Sequence, residues 1–282
     1  VIPGPRTLLR QARRRAGRLL DDALARHTAA QTATLRAELA ALREELDARV
    51  RGEADRVLAE LRAVEVRDRR DMIAAGERDA VASSARFVRE HLAEAVPLPH
   101  PEATLRHALD QAPSGGMALE FGVYRGHTLR MIAEHRGDGR VYGFDTFTGL
   151  PETWRPGFRA GAFDDVGELP EIPGAELVAG LFDDTLDGFL AAHPGPVDFL
   201  HVDSDLYSSA VTVLAGAGPR LRAGSIVLFD EFLNFPGWER DEARAWWEYT
   251  EKHGVRYHYV CYTHDNEQVA VRIDDPGTPA PS

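Results

Sequence analysis

Two rhythms of hydrophobic residues divide the chain. In its first third they recur at helical spacing: Leu35, Leu39, Leu42 and Leu46 advance by four, three and four residues, the a/d spacing of a coiled-coil seam. The seam then moves to Val50, Ala54, Val57, Leu61 and Val64, and the repeated step of four around Val50 describes a stutter. Arg43, Glu44, Glu45 and Arg49 crowd its flanks. Gly52 and Gly76 are expected weak points, each costing about 1 kcal/mol against alanine in a helix. Such a pattern suits either a dimerising arm that also braces the rest of the chain or a plain amphipathic helix folded back on the core as a hairpin. The arginine-rich start (Arg10, Arg13, Arg14, Arg15, Arg18) is expected to be a solvated helix face rather than a lipid or nucleic-acid contact.

After Pro97, Pro99 and Pro101 the rhythm changes to short apolar runs separated by helical stretches. Strands are expected at 117–122, 140–144, 176–179, 197–202, 225–229, 256–261 and 268–273. Helices are expected at 128–135, 185–192, 208–217 and 241–253. The first five strands, each flanked by helix, predict a parallel sheet with right-handed crossovers. The last two predict an antiparallel hairpin at one sheet edge. The expected fold is therefore α/β: a mainly parallel seven-stranded sheet at 97–282, preceded by a long α-helical or coiled-coil arm at 1–96. Ligands in such sheets sit at the carboxyl ends of the strands.

Composition narrows the chemistry. The chain carries a net charge of −12, which argues against a broad nucleic-acid surface. The basic residues lie disproportionately in the arm, so the α/β part is strongly acidic. Lys252 is the only lysine, which removes P-loop chemistry, and Cys261 is the only cysteine, which removes a disulfide framework and a CxxC centre. No apolar run approaches the roughly 20 residues of a membrane helix and no signal-peptide pattern is present, so the expectation is a cytoplasmic protein without a membrane partner.

The first strand ends in Glu120-Phe121-Gly122-Val123-Tyr124-Arg125-Gly126-His127-Thr128. An acid at a strand end, two glycines and a helix start describe a cofactor loop, in which glycine lets the backbone approach a ligand and Thr128 serves the helix N-terminus. Tyr124 replaces the second glycine of a dinucleotide fingerprint, which weakens the case for NAD. Asp145, ending the next strand, stands where a carboxylate takes both hydroxyls of a ribose. Residues 151–173 read as a lid, with Trp154, Phe158 and Phe163 to cover a ligand. Two further strands end in Asp203-Ser204-Asp205 and Asp230-Glu231. Four carboxylates in one cleft repel or hold protons unless a hard divalent cation such as Mg²⁺ joins them. Asp230 and Glu231 point to opposite faces of a continuing strand, so both bind one ion only if the strand ends there. His201 and Cys261 are expected to be buried core residues.

The segments 120–126, 143–151 (GFDTFTGLP), 180–186, 201–207 (HVDSDLY), 229–232 and 268–272 resemble the macrocin O-methyltransferase family over roughly residues 115–273. That resemblance implies a class I, Rossmann-like methyltransferase fold with S-adenosylmethionine as donor and Mg²⁺-dependent transfer to a sugar hydroxyl, in a glycosylated natural product or a nucleotide-linked sugar. It implies Glu120, Phe121, Gly122, Tyr124, Arg125, Gly126 and Thr128 on the methionine and ribose side of the donor. It implies Asp145 at the ribose hydroxyls, Phe182 and Asp183 by the adenine, Thr146 and Asp203 among the donor-binding residues, and Asp203, Asp230 and Glu231 on the metal. Asp205, with Asp203 beside it, is implied in catalysis as the base. The long arm exceeds what shorter family members need. Expected partners are a sugar or glycoside and further copies of the chain, with no nucleic acid. Two other readings remain open at this point: a nicotinamide-dependent oxidoreductase, and a coiled-coil assembly protein whose methyltransferase-like domain only binds a ligand.

Overall fold

A computed structural model describes residues 5–277 except 138, with side chains from residue 13 onward. The chain forms two compact units, Val1–Asp71 and Met72–Ser282. The division therefore falls before the expected 96/97 position.

The first unit is one helix, α1 (Pro5–Arg70). No proline follows Pro5 within it and Gly52 does not interrupt it. Arg13, Arg14, Arg15 and Arg18 are exposed, whereas the side chain of Arg10 lies outside the described residues. No helix among the described residues is long and apolar enough to cross a membrane.

The second unit opens with α2 (Met72–His91) and a short strand, β1 (Val96–Leu98). There follow α3 (Pro101–Gln111), β2 (Met117–Phe121), α4 (His127–Arg136), β3 (Val141–Asp145), β4 (Ala175–Ala179) and α5 (Phe182–Ala192). The chain continues through β5 (Val197–Val202), α6 (Tyr207–Ala217), β6 (Leu221–Phe229), α7 (Glu242–His253), β7 (Arg256–Thr263) and β8 (Val269–Asp275). These strands make one eight-stranded sheet in the order β1-β7-β8-β6-β5-β2-β3-β4, antiparallel only where β8 meets β6 and β7. The expectation of seven strands is corrected to eight, and the β7–β8 hairpin is not at the edge. β1 lies outside β7 in parallel, pairing Val96 with Cys261 and Leu98 with Thr263. It contains Pro97, and a residue without an amide proton is tolerated on an outermost strand.

Strand alternation divides the core into two layers. Met117, Leu119 and Phe121 of β2 pack on the layer that holds α5, α6 and α7, while Ala118 packs with α3 and α4. Phe87 of α2 meets Phe232, Trp238, Trp247 and Tyr259 at ring-centroid distances of 5.3–6.3 Å, which ties α2 into the α/β body. At the amino end of the sheet Asp198 is fully buried, accepting from the Gly116 amide (2.6 Å) and Arg222 Nε (2.7 Å), with Arg136 3.7 Å away.

Candidate active site

The carboxyl ends of β2, β3, β5 and β6 line a cavity of about 740 Å³. Gly122, Tyr124, Asp145, Thr146, Phe182, Asp183, Asp203, Asp205 and Glu231 all reach it. Of the expected site residues, Glu120, Phe121, Arg125, Gly126, Thr128 and Asp230 do not line it.

The glycine loop works differently from the sequence expectation. Gly122 and Gly126 both have positive φ, but a side chain at Gly122 would collide with the Asp203 carbonyl, and one at Gly126 with Ile172. These glycines let protein segments approach each other. Gly126, not Thr128, is the N-cap of α4, and it supplies no side-chain cap. Arg125 is exposed and paired with Asp165 at 2.7 Å, and Tyr124 donates its hydroxyl to the same carboxylate. Phe121 is a core residue stacked on Phe144. Asp145 Oδ2 accepts from the Val123 and Tyr124 amides at 2.8 and 2.7 Å, and Oδ1 from the Phe147 amide at 2.7 Å. With three backbone donors already on it, Asp145 retains acceptor capacity for about one further hydroxyl, fewer than the two expected. Thr146 Oγ1 donates to the Gly149 carbonyl, and Asp183 accepts from Thr212 at 2.9 Å.

Glu120 and His201 sit opposite each other on paired strands, facing the α3/α4 layer. Their side chains meet at 2.8 Å, fully buried, so His201 is the hydrogen-bonded interior residue expected of it. Burial pushes the Glu120 pKa up, and His201 draws it part of the way back. Burial also opposes charge on His201, but Asp230 and Glu120 outweigh it and hold the imidazole well above its ordinary pKa. Asp230 Oδ1 lies 3.6 Å from His201 Nε2, and Oδ2 accepts from Gln268 at 3.1 Å. Burial would raise Asp230, yet His201 and Gln268 keep it below the usual carboxylate range. A second cavity of about 520 Å³ collects His201, Asp230, Gln268 and Thr128.

β6 does end at Phe229, as binding by both following acids requires, yet the two acids border different cavities. Glu231 lines the main cavity and Asp230 the second. Two groups of ligand atoms are close enough to share a cation: His201, Asp203 and Asp230, and Asp203, Asp205 and Glu231. Asp203 belongs to both. Burial and then the charge of Asp230 push Asp203 and Glu231 well above the ordinary carboxylate range, and Glu231 Oε2 is buried without a hydrogen-bond partner. Asp205 is raised to about 7 by burial, against the opposing pull of Arg155. Its φ of 59° lies in the left-handed region, which Asp tolerates better than most residues.

Sequence reasoning missed the residues that hold this arrangement. Glu242, in the first turn of α7, is fully buried and accepts from the Ser204 amide and hydroxyl and the Glu231 amide at 3.1–3.2 Å. It thereby binds the ends of β5 and β6 together, and burial raises its pKa to about 8. Arg155 forms a two-pronged ion pair with Glu267 at 3.1 and 3.2 Å and lies over Trp154 (3.9 Å to the ring centre) and Phe235 (4.7 Å). The expected lid residues Trp154, Phe158 and Phe163 line the cavity with it. An acid within an apparently surface helix and an ion pair spanning 112 residues leave no local signal.

With that geometry established, comparison with known proteins is informative. Residues 119–232 match the model of a methyltransferase domain. The matched segment runs from β2 to just past β6 and contains every strand end that lines the main cavity. A curated relative from Streptomyces olivaceus, 8-demethyl-8-(2,3-dimethoxy-alpha-L-rhamnosyl)-tetracenomycin-C 4'-O-methyltransferase, is 29% identical over 144 residues, covering 42% of this chain. The chain spans about half (53%) of that relative's length. Among solved structures, the calicheamicin methyltransferase CalS11 is 27% identical with a TM-score of 0.49, covering 61% of this chain and 76% of its own. The O-methyltransferase NovP is 22% identical with a TM-score of 0.45, covering 60% and 78%.

Proposed function

We propose that this chain is a class I methyltransferase that moves a methyl group from S-adenosylmethionine to a sugar hydroxyl of a glycosylated natural product, with help from a divalent cation. The observation that carries the reading is the convergence of Asp203, Asp205 and Glu231 on a cavity walled by aromatic lid residues. The methyltransferase-domain match supports the reaction class, and the tetracenomycin-glycoside relative supports the acceptor class.

The residues present fit both groups. All three carboxylates of this set offer oxygen, the donor a hard cation prefers, and a buried Glu231 oxygen lacks any other partner. The cavity combines apolar rings with a few polar groups at strand ends, as a nucleoside site requires. When bound, the donor supplies an electrophilic sulfonium methyl and Mg²⁺ lowers the pKa of a ligated hydroxyl. Asp203 and Glu231 would hold the ion, whereas Asp230 belongs to the other group, with His201 and Asp203. Asp145 would accept a ribose hydroxyl, Thr146 would lie beside it, and Phe182 and Asp183 would border the adenine. Tyr124 would flank the donor above Gly122.

Asp205 would take the acceptor proton on its carboxylate, and a pKa of about 7 matches a base working near neutral pH. Glu242 is a positioning residue: it fixes the backbone of Ser204 and Glu231 and so the spacing of the acids on either side. Trp154, Phe158 and Arg155 would exclude water from the acceptor face. Glu120 and His201 lie behind the wall and orient Asp230.

Calorimetric titration of the metal-stripped protein with S-adenosylhomocysteine, NAD⁺ and Mg²⁺ tests the reading, followed by transfer of labelled methyl groups to rhamnosides. Micromolar binding of S-adenosylhomocysteine, with Mg²⁺ binding lost in Asp203→Asn, is expected. Binding of NAD⁺ in its place would overturn the proposal.

A further inference from the structure

The feature that the proposed chemistry leaves unused is the apolar seam of α1. Its side chains are exposed along its length: Leu35 by 64%, Leu39 by 51%, Leu42 by 62%, Leu46 by 60% and Val50 by 59%. Val57, Leu61 and Val64 continue the row at 53–59%. From Leu35 to Val64 the helix rises about 45 Å. Because α1 is unbroken from Pro5 to Arg70, the seam cannot be covered by the helix folding on itself.

The charges beside the seam select the occupant. With Leu35 and Leu42 at d and Leu39 and Leu46 at a, the e positions are Arg36 and Arg43 and the g positions are Glu38 and Glu45. In a parallel pair of helices, each g residue faces the e residue of the following heptad on the other helix. Glu38 then meets Arg43 of the second copy, twice by symmetry. In an antiparallel pair, e faces e and g faces g, which sets arginine against arginine and glutamate against glutamate. Both edges are thus self-complementary in one orientation and self-repelling in the other. Glu45 also pairs within its own helix with Arg49 (2.7 Å), which leaves Glu38 and Arg43 to fix the orientation.

We propose that α1 associates with α1 of a second copy of this chain as a parallel, in-register coiled coil along Leu35–Val64, with Glu38 and Arg43 fixing the orientation. The stutter at Val50 locally unwinds the supercoil, so the seam continues through Ala54 to Val57 without leaving the interface. The inference concerns mass and orientation and is independent of whether the α/β unit transfers methyl groups.

Sedimentation of the full chain tests it. The wild type is expected at a multiple of its 31.1 kDa mass. Glu38→Arg with Glu45→Arg, and separately Arg36→Glu with Arg43→Glu, each make both edges alike and should weaken association about tenfold. Mixing the two variants should restore it as a mixed species. Circular dichroism of each variant checks that the α/β unit stays folded. Leu42→Cys adds an orientation test that buried Cys261 leaves undisturbed: oxidation should join two copies at position 42. A monomeric wild type overturns the proposal, as does a charge variant that self-associates like the wild type, a mixture that fails to recover, or a Leu42→Cys oligomer that does not cross-link.

Discussion

The two ends of the sheet bury acids in opposite ways. At the amino end, Asp198 is fully buried but met by Arg222, Arg136 and a backbone amide, so its charge is compensated within the fold. At the carboxyl end Asp203, Asp205, Glu231 and Glu242 crowd together with pKa values pushed up. The arginine that draws on Asp205 there, Arg155 of the lid, is already engaged by Glu267. A compensated buried charge serves stability, whereas an uncompensated cluster is unfavourable until a ligand or protons complete it. One end of the sheet is thus compensated as folded, and the proposed ion would complete the other.

Substitution should expose this contrast most sharply at Asp198. Asp198→Ala removes the buried acceptor shared by Arg222 and the Gly116 amide and should cost about 3–5 kcal/mol in urea unfolding. Asp203→Asn, removing one of several crowded acids, should leave the metal-free protein as stable or more so while methyl transfer is lost. Equal destabilisation by the two would erase the distinction.

Asp205→Asn should lower kcat by about 10²-fold or more, with S-adenosylhomocysteine binding changed less than about twofold by calorimetry. Asparagine keeps the shape and tolerates the left-handed backbone but accepts no proton.

A smaller effect is expected from pH. Glu242, raised from 4.5 to about 8, and Asp205, raised to about 7, bind protons more tightly folded than unfolded. Through that window the unfolded chain holds fewer protons, so the metal-free protein loses stability as pH rises from about 4.5 to 8. Added Mg²⁺ should therefore raise Tm more at about pH 8 than at about pH 6, which differential scanning fluorimetry would read. The same gain at both pH values would place the ion away from these acids. The smallest effect belongs to Arg155→Gln, expected to raise acceptor KM a few-fold with little change in thermal stability.

Most of the sheet was legible because its strands are short apolar runs separated by amphipathic helix. Six of the seven expected strands agree with β2–β6 and β8 within a few residues, and β7 runs two residues further than expected. β1 was invisible because three residues containing a proline carry no periodic signal, and α3 lay inside the proline cluster read as a boundary. At the site, strand-end acids were legible because position after a strand is a local property. The separation of Asp230 and Glu231 between two cavities was not, since it depends on how the chain turns beyond Phe229. Asp145 shows a third kind of limit. Its position at the end of β3 was legible, but the three amides that leave it about one free acceptor site come from loop geometry that no spacing encodes.

Strand β1 also determines where this protein tolerates being cut. β7 is an eight-residue strand rich in tyrosine, and β1 covers its last stretch from Cys261 to Thr263. A truncation that removed β1 along with the helical arm would leave those amides and carbonyls as an open template for intermolecular pairing. The proline that hides β1 from pattern reading is also what stops β1 from recruiting a neighbour in turn. Three residues that line no part of the main cavity therefore cover the end of β7.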